Sequence, residues 1–455
     1  MIMVDPQASK PKICVLGMGF VGLTLALTLS EIGHEVTGVD RRGNVIETLL
    51  SGKSHFFEHG IEDMLRHELA NGLRLKTEID PAATVYVVAV GTPIGDDRKP
   101  DTRDLRDVSV ELGRILKRGD LVILRSTVPI GQTRESVLVE LETASGLVGG
   151  RDFDLAFAPE RTLEGKALAE LRTLPQIVGG LTRSGAERAA VLFSAITPTT
   201  IIVDSLEAAE FVKVMNNAYR DVIFAFANEM ALVCDRYNLD SHEIVHASNT
   251  GYDRSHVPLP SPGVGGYCLT KDPHIFAYAA RRVGVEPTLV PAARNVNERM
   301  PSHVVGKVLD FLDTKSIART GAKVLLLGIA FKGHPETSDI RFSPSLDVAR
   351  ELGGHGITVH GYDPRVHDRD MIDNRIVPVV DLARTMLEAD AIVVMNNNPS
   401  FRSLPVVETL RSKVAPTLVF DAWKILSKEK LIGLAAVSYA NLGFDNIHDD
   451  LRTYG

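Results

Sequence analysis

Lys12-Ile13-Cys14-Val15-Leu16-Gly17-Met18-Gly19-Phe20-Val21-Gly22 is an apolar run that breaks into three glycines spaced G-x-G-x-x-G. The run has the length and composition of a buried strand, and a helix-like stretch follows to about residue 32. A second strand covers residues 35–40 and ends in Asp40. In this register the glycines serve a tight turn, close approach of backbone to a pyrophosphate, and close packing of helix on strand. Gly17, Gly19, Phe20, Val21 and Gly22 thus read as a dinucleotide fingerprint. Asp40 stands where the adenine ribose hydroxyls would be accepted, which favours NAD over NADP. Arg41 and Arg42 come next and would tolerate a 2′-phosphate.

Outward from this stretch, residues 85–90, 121–124 and 153–157 are further buried-strand candidates separated by helix-like segments. Strand and helix alternating in this way predict a parallel, doubly wound sheet. From 205 to 237 the pattern becomes one apolar-rich helix without Gly or Pro. A loop rich in Pro and Gly follows over 249–267, then a helical region to about 297. The last third repeats the first: Lys323-Val324-Leu325-Leu326-Leu327-Gly328 echoes the opening strand, and residues 357–363 echo 36–40, again ending in Asp. The echo lacks the glycine triplet and should bind something other than a dinucleotide. A helix is expected to begin at Ser343-Pro344 and stop at Gly353-Gly354. The expected fold is α/β, with two Rossmann-like doubly wound parallel-sheet domains joined by a long central helix. The expected divisions are 1–204, 205–300 and 301–455.

The chain has 455 residues, enough for two or three cores, with 44% hydrophobic and 24% charged residues. A net charge of −8 without a long basic cluster argues against nucleic acid and anionic membrane surfaces. Three cysteines form no disulfide pattern, and no signal-peptide core or spanning apolar stretch is present. The expectation is a cytoplasmic protein. The fourteen histidines lack metal-site spacing, so no metal is expected.

Several motifs carry chemistry. Val90-Gly91-Thr92-Pro93 and Arg125-Ser126-Thr127-Val128-Pro129 end strands, the edge at which open α/β sheets bind ligands. Ala158-Pro159-Glu160-Arg161 ends another, and Glu160 there is a candidate general base for a water. Lys213 and Asn217 are four apart on one helical face, two donors suited to a developing oxyanion. Cys14 and Cys234 read as inert core residues. Cys268 differs: it follows Gly265-Gly266-Tyr267 and precedes Lys271-Asp272. Glycines let backbone pass close to a ligand, and a nearby cation favours thiolate. A thiol in a nicotinamide-dependent chain is useful when an aldehyde must be held and oxidised again.

Together these residues resemble the nucleotide-sugar dehydrogenase family, which includes UDP-glucose and UDP-N-acetylmannosamine 6-dehydrogenases. The resemblance runs from Lys12 to the mid-420s, and includes GVGGYC-x-x-KD and AFKG-x-x-x-TSDIR-x-SPS in family order. It implies a four-electron oxidation of a UDP-sugar C6 alcohol that reduces two NAD. Cys268 would be the nucleophile, Lys213 and Asn217 oxyanion stabilisers and Asp272 a proton-transfer group, with Glu160 and Thr127 handling water and proton. It implies sugar-nucleotide contacts at Glu160, Arg161, Lys213, Asn217, Arg254, Gly265, Phe331, Lys332 and Arg341, with Arg254 reaching a neighbouring subunit. It also implies a homodimer built on the long helix and a place in polysaccharide biosynthesis. Trp423 stands where many relatives carry Arg. Residues 159–161, 174–180 and 262–266 look like the UDP-N-acetylhexosamine branch, whereas Glu164 and Lys271 look like UDP-glucose enzymes. The favoured substrate is UDP-N-acetylmannosamine, with UDP-glucose or UDP-N-acetylglucosamine as alternatives. The rivals are a two-electron hydroxyacid dehydrogenase and a non-catalytic nucleotide sensor.

Overall fold

The computed structural model of the protein describes residues 10–95 and 97–447. The chain forms two compact units, one of residues up to 216 with 274–286, the other of 217–273 with those from 287 onward.

The first unit holds β1 (Ile13–Leu16), β2 (Val36–Val39), β3 (Arg74–Lys76), β4 (Val85–Val88), β5 (Leu121–Leu124), β6 (Asp154–Phe157), β7 (Gln176–Gly180) and β8 (Thr200–Val203). Their order is β3-β2-β1-β4-β5-β6-β7-β8. Central strands are apolar along their whole length because both faces are covered: Ile13 and Val15 join one core, Cys14 and Leu16 the other. The doubly wound parallel sheet is present, with one departure. β6 and β7 are antiparallel, Ala156 facing Gly180. Between them lies only a one-turn helix, Ala167–Glu170, so the chain enters β7 from the edge at which β6 ended rather than crossing over. β3, β7 and β8 had no counterpart among the expected strands.

The second unit holds β9 (Lys323–Leu327), β10 (Thr358–Tyr362), β11 (Val377–Pro378), β12 (Ala391–Val394), β13 (Thr417–Asp421) and β14 (Val437–Ala440), ordered β11-β10-β9-β12-β13-β14. All five pairings are parallel. The echo extends to single bonds. Gly17 and Gly328 share φ near +97°. Asp40 accepts the Met18 N–H at 3.1 Å, and Asp363 accepts the Ile329 N–H at 2.8 Å. Ser343 caps the helix Pro344–Gly354 with Pro in its first turn, as expected.

The long helix, Leu206–Tyr237, contributes residues to both units. The region expected to be helical to about 297 is instead two helices, Tyr267–Arg282 and Leu289–Thr314. Gly284 parts them with φ +77°, a conformation that ends a helix. Among the described residues no helix is long and apolar enough to cross a membrane.

Candidate active site

In the first unit the fingerprint glycines sit where a side chain could not. A Cβ on Gly17 would lie 2.7 Å from the Ala89 carbonyl, and one on Gly22 would lie 1.7 Å from the Gly17 carbonyl. Gly19 is different, with nothing within 4 Å of its Cβ position. It is the N-cap of the helix Phe20–Glu31, so open space meets unpaired amides and the dipole's positive end. These residues fit a dinucleotide. Phe20 packs on Phe56 at 5.4 Å between ring centres. The Asp40 carboxylate is buried at the end of β2 and held below its ordinary range: burial opposes the charge, but Arg42 and the Met18 amide outweigh it. Arg42 bonds both oxygens, at 3.0 and 3.1 Å, from an exposed side chain. A ribose diol would displace that arginine. Arg41 points its charge at Asp104, 2.9 Å away.

The carboxyl ends of β4, β5 and β6 are tied together. Thr92 donates its hydroxyl to the Thr127 carbonyl, and Ser126 donates to the Val90 carbonyl at 2.7 Å. Arg125, 2% exposed, donates to the Ala158 carbonyl, Gln176 and Glu160. Glu160 accepts Arg125 on Oε2 at 2.6 Å, and the Arg161 and Thr162 N–H groups on Oε1 at 2.7 Å each. Burial would raise its pKa, yet the Arg125 charge and the Thr162 amide hold it below the usual range. These bonds gather the strand-end loops around the carboxylate that the sequence offers as a candidate base. Arg161 reaches the Pro175 carbonyl at 3.3 Å.

In the second unit Cys268 is exposed in the first turn of the helix Tyr267–Arg282, where the dipole favours negative charge. One turn on, Asp272 is fully buried. It accepts the Asn217 amide at 2.6 Å and lies 3.2 Å from the Lys271 ammonium. Burial opposes the Lys271 charge, but Asp272, Tyr267 and Cys268 outweigh it and hold the proton on. Gly266 adopts φ +85°, and a Cβ there would lie 2.6 Å from the Phe331 ring. At Gly265 a Cβ would lie 2.4 Å from the Phe342 carbonyl. The cysteine turn thus rests directly on the segment that follows β9. Lys213, one turn before Asn217 on the long helix, is also buried. The buried Cys14 thiol is pushed up to about 12, and burial also raises that of Cys234, as inert cysteines require.

Three models of one family cover the chain. The NAD binding domain of the UDP-glucose/GDP-mannose dehydrogenase family matches residues 11–197, its central domain 207–299 and its UDP binding domain 325–428. The chain belongs to the UDP-glucose/GDP-mannose dehydrogenase family. Membership supplies NAD as cofactor and a UDP-sugar as substrate class. The chain is 33% identical to a UDP-N-acetyl-D-mannosamine dehydrogenase of Pyrococcus horikoshii, with 93% of this chain and 97% of that one aligned. It is 29% identical to a UDP-N-acetyl-D-glucosamine 6-dehydrogenase of Pseudomonas aeruginosa, over 92% and 98% of the two lengths. The solved UDP-D-ManNAc dehydrogenase of P. horikoshii matches with a TM-score of 0.85 at 30% identity, over 95% of this chain and 99% of that one. A UDP-glucose dehydrogenase from Pyrobaculum islandicum matches at 0.84 and 25%, over 97% and 100%.

Further residues named from the family resemblance lie in the second unit. Phe331 packs on the cysteine turn, and the Lys332 ammonium lies 5.4 Å from the Phe331 ring centre. Arg341 pairs with Asp339 at 2.6 Å and lies 4.8 Å from the Tyr267 ring centre. Arg254 is exposed, its guanidinium 5.7 Å from the Tyr252 ring centre. Trp423 donates its indole N–H to the Met395 carbonyl at 3.0 Å and packs against both cores of its unit. Sequence reasoning gave no role to several buried charged groups, among them Arg125, Glu210, Asp221 and Arg294. Glu210 accepts the Gly131 and Thr133 amides at 2.6 and 2.9 Å, tying the loop after Thr127 to the long helix. For Glu210 and Asp221 the signal was position, since Glu210, Lys213, Asn217 and Asp221 recur every three or four residues.

Proposed function

We propose that the protein oxidises the C6 alcohol of UDP-N-acetyl-D-mannosamine to the uronate in two steps, with Cys268 holding the carbon between them. The observation that carries this is a solvent-exposed thiol in a helix's first turn beside the buried Asn217–Asp272–Lys271 cluster. The alcohol first loses a proton and a hydride to give the aldehyde. The Cys268 sulfur adds to that carbonyl, forming a thiohemiacetal whose oxygen takes a proton. Loss of a second proton and hydride leaves a thioester, which water cleaves to the acid and the thiol. NAD would supply the hydride acceptor for each oxidation, two per sugar, and Gly17, Gly19, Gly22 and Asp40 are the residues that would hold it.

Lys213 and Asn217 act as donors to the oxyanions that develop at C6. Asp272, which accepts the Asn217 amide and pairs with Lys271, supports proton transfer. Thr127 stands at the strand edge on the loop that Glu160 and Arg125 fix. Phe331, Lys332, Arg341 and Gly265 contact the nucleotide sugar, and Arg254 reaches across a dimer. The N-acetylhexosamine choice is supported by relatives of that activity over nearly the full chain. The dimer is supported by an exposed apolar stripe on the long helix: Phe211, Met215, Tyr219, Phe226, Val233 and Tyr237.

The test is a panel of UDP-N-acetylmannosamine, UDP-N-acetylglucosamine and UDP-glucose with NAD. The expected result is a kcat/KM highest for the first and close to two NADH per sugar. Cys268→Ser should form no acid at steady state. A yield of one NADH, or full acid formation by the serine variant, overturns the reading.

A further inference from the structure

The helix that carries Cys268 contains a proline, Pro273. Proline has no N–H, so the Leu269 carbonyl, four residues earlier and next to the cysteine, cannot receive its ordinary helical hydrogen bond. A buried carbonyl left without a donor would loosen the turn that aims the thiol. Arg294, on the helix Leu289–Thr314 and 2% exposed, fills that gap. Its Nη1 donates to the Leu269 carbonyl at 3.0 Å, and its Nη2 donates to the Val264 carbonyl at 3.0 Å. One planar guanidinium thus holds both ends of the Val264–Leu269 turn.

The arginine is itself fixed. Asp221, one turn beyond Asn217 on the long helix, accepts Nη1 at 2.7 Å. Asn297 donates to the same Asp221 oxygen at 2.8 Å, and Asn228 donates to Asn297 at 2.8 Å. Asn228 then accepts the Ser261 N–H at 2.8 Å, where the chain enters the cysteine loop. The helix bearing Asn217 and the turn bearing Cys268 are therefore referenced to each other through a single buried cation.

We infer that Arg294 is a positioning residue for the nucleophile, replacing the hydrogen bond that Pro273 removes and setting the Cys268 turn against the long helix. The inference rests on Cys268 being the nucleophile.

The experiment is a double-mutant cycle on the full-length protein with UDP-N-acetylmannosamine and NAD. Arg294→Lys keeps the charge opposite Asp221 but loses the two-pronged grip. Its kcat should fall between about tenfold and a hundredfold, with KM for both substrates within about twofold. Adding Pro273→Ala restores an N–H to the Leu269 carbonyl and should return about fivefold of that kcat. A buried arginine that only stabilised the fold would give the same kcat loss in both backgrounds, which would overturn the inference. So would an undiminished kcat in Arg294→Lys, or a loss confined to KM. Arg294→Gln, scored identically, replaces the lysine variant where that does not fold. Cys268→Ser separates the two levels. Its retaining full activity sinks the nucleophile, whereas its inactivity alongside an uncoupled cycle sinks only the role of Arg294.

Discussion

Glu160 illustrates how the fold prepares the surroundings of a candidate base. A carboxylate at a strand end suggests a base, and the fold surrounds this one with Arg125 and two backbone N–H groups. Its folded pKa is lowered from an ordinary 4.5, so the pair stabilises the protein above that value and the contribution fades as pH falls through the folded pKa. Glu160→Gln, which leaves Arg125 buried without its counter-charge, should therefore cost about 3–5 kcal/mol at pH 7. Urea unfolding at several pH values checks this: the gap to the parent should narrow below about pH 4.5. A gap that stays constant down to pH 3 would show that the pair is not what holds Glu160 ionised.

At the scale of elements, the long helix is polar inside as well as apolar outside. Among buried residues such as Val214, Ala218 and Ala225 it carries Glu210, Lys213, Asn217, Asp221 and Asn228, while its exposed face carries large apolar side chains. A surface helix ordinarily keeps its polar groups on the exposed face. The polar groups are tolerated because partners such as Asp272 for Asn217 and Arg294 for Asp221 satisfy them. The cysteine turn depends on an equally tight fit. Gly266→Ala would place a side chain at φ +85° and 2.6 Å from Phe331. The backbone alone should cost about 1–3 kcal/mol, and the collision adds to it. Thermal unfolding and acid formation should both drop; a variant with unchanged midpoint and rate would mean that Phe331 does not rest on this turn.

At the scale of the molecule, one strand plan is used twice, with different endings. Gly17 leads to Gly19 and open space before a helix, whereas Gly328 leads to buried Ile329 and Ala330 and a Cβ there would meet Asn396 at 2.4 Å. The first ending leaves amides for a pyrophosphate; the second fills that place with the protein itself. Assembly is the other property of this scale. If the apolar stripe joins two copies, Tyr219→Glu with Phe226→Glu should convert a dimer to monomers in sedimentation equilibrium. The far-ultraviolet spectrum should be retained. A mutant that sediments as a dimer would place the interface elsewhere.

The fingerprint, the repeated strand ending in Asp, the helix capped by Ser343 and the cysteine among glycines were all legible in the chain. Each depends on residues close in sequence, where periodicity and backbone geometry act locally. The antiparallel β7, the engagement of Glu160 by Arg125 and the hold of Arg294 on the Cys268 turn were not. Arg125 lies 35 residues from Glu160, and Arg294 lies 73 from Asp221. Burial makes such long-range partners obligatory without leaving a local trace, because what a buried charge needs is a counter-charge in space, and only the folded chain says which residue supplies it.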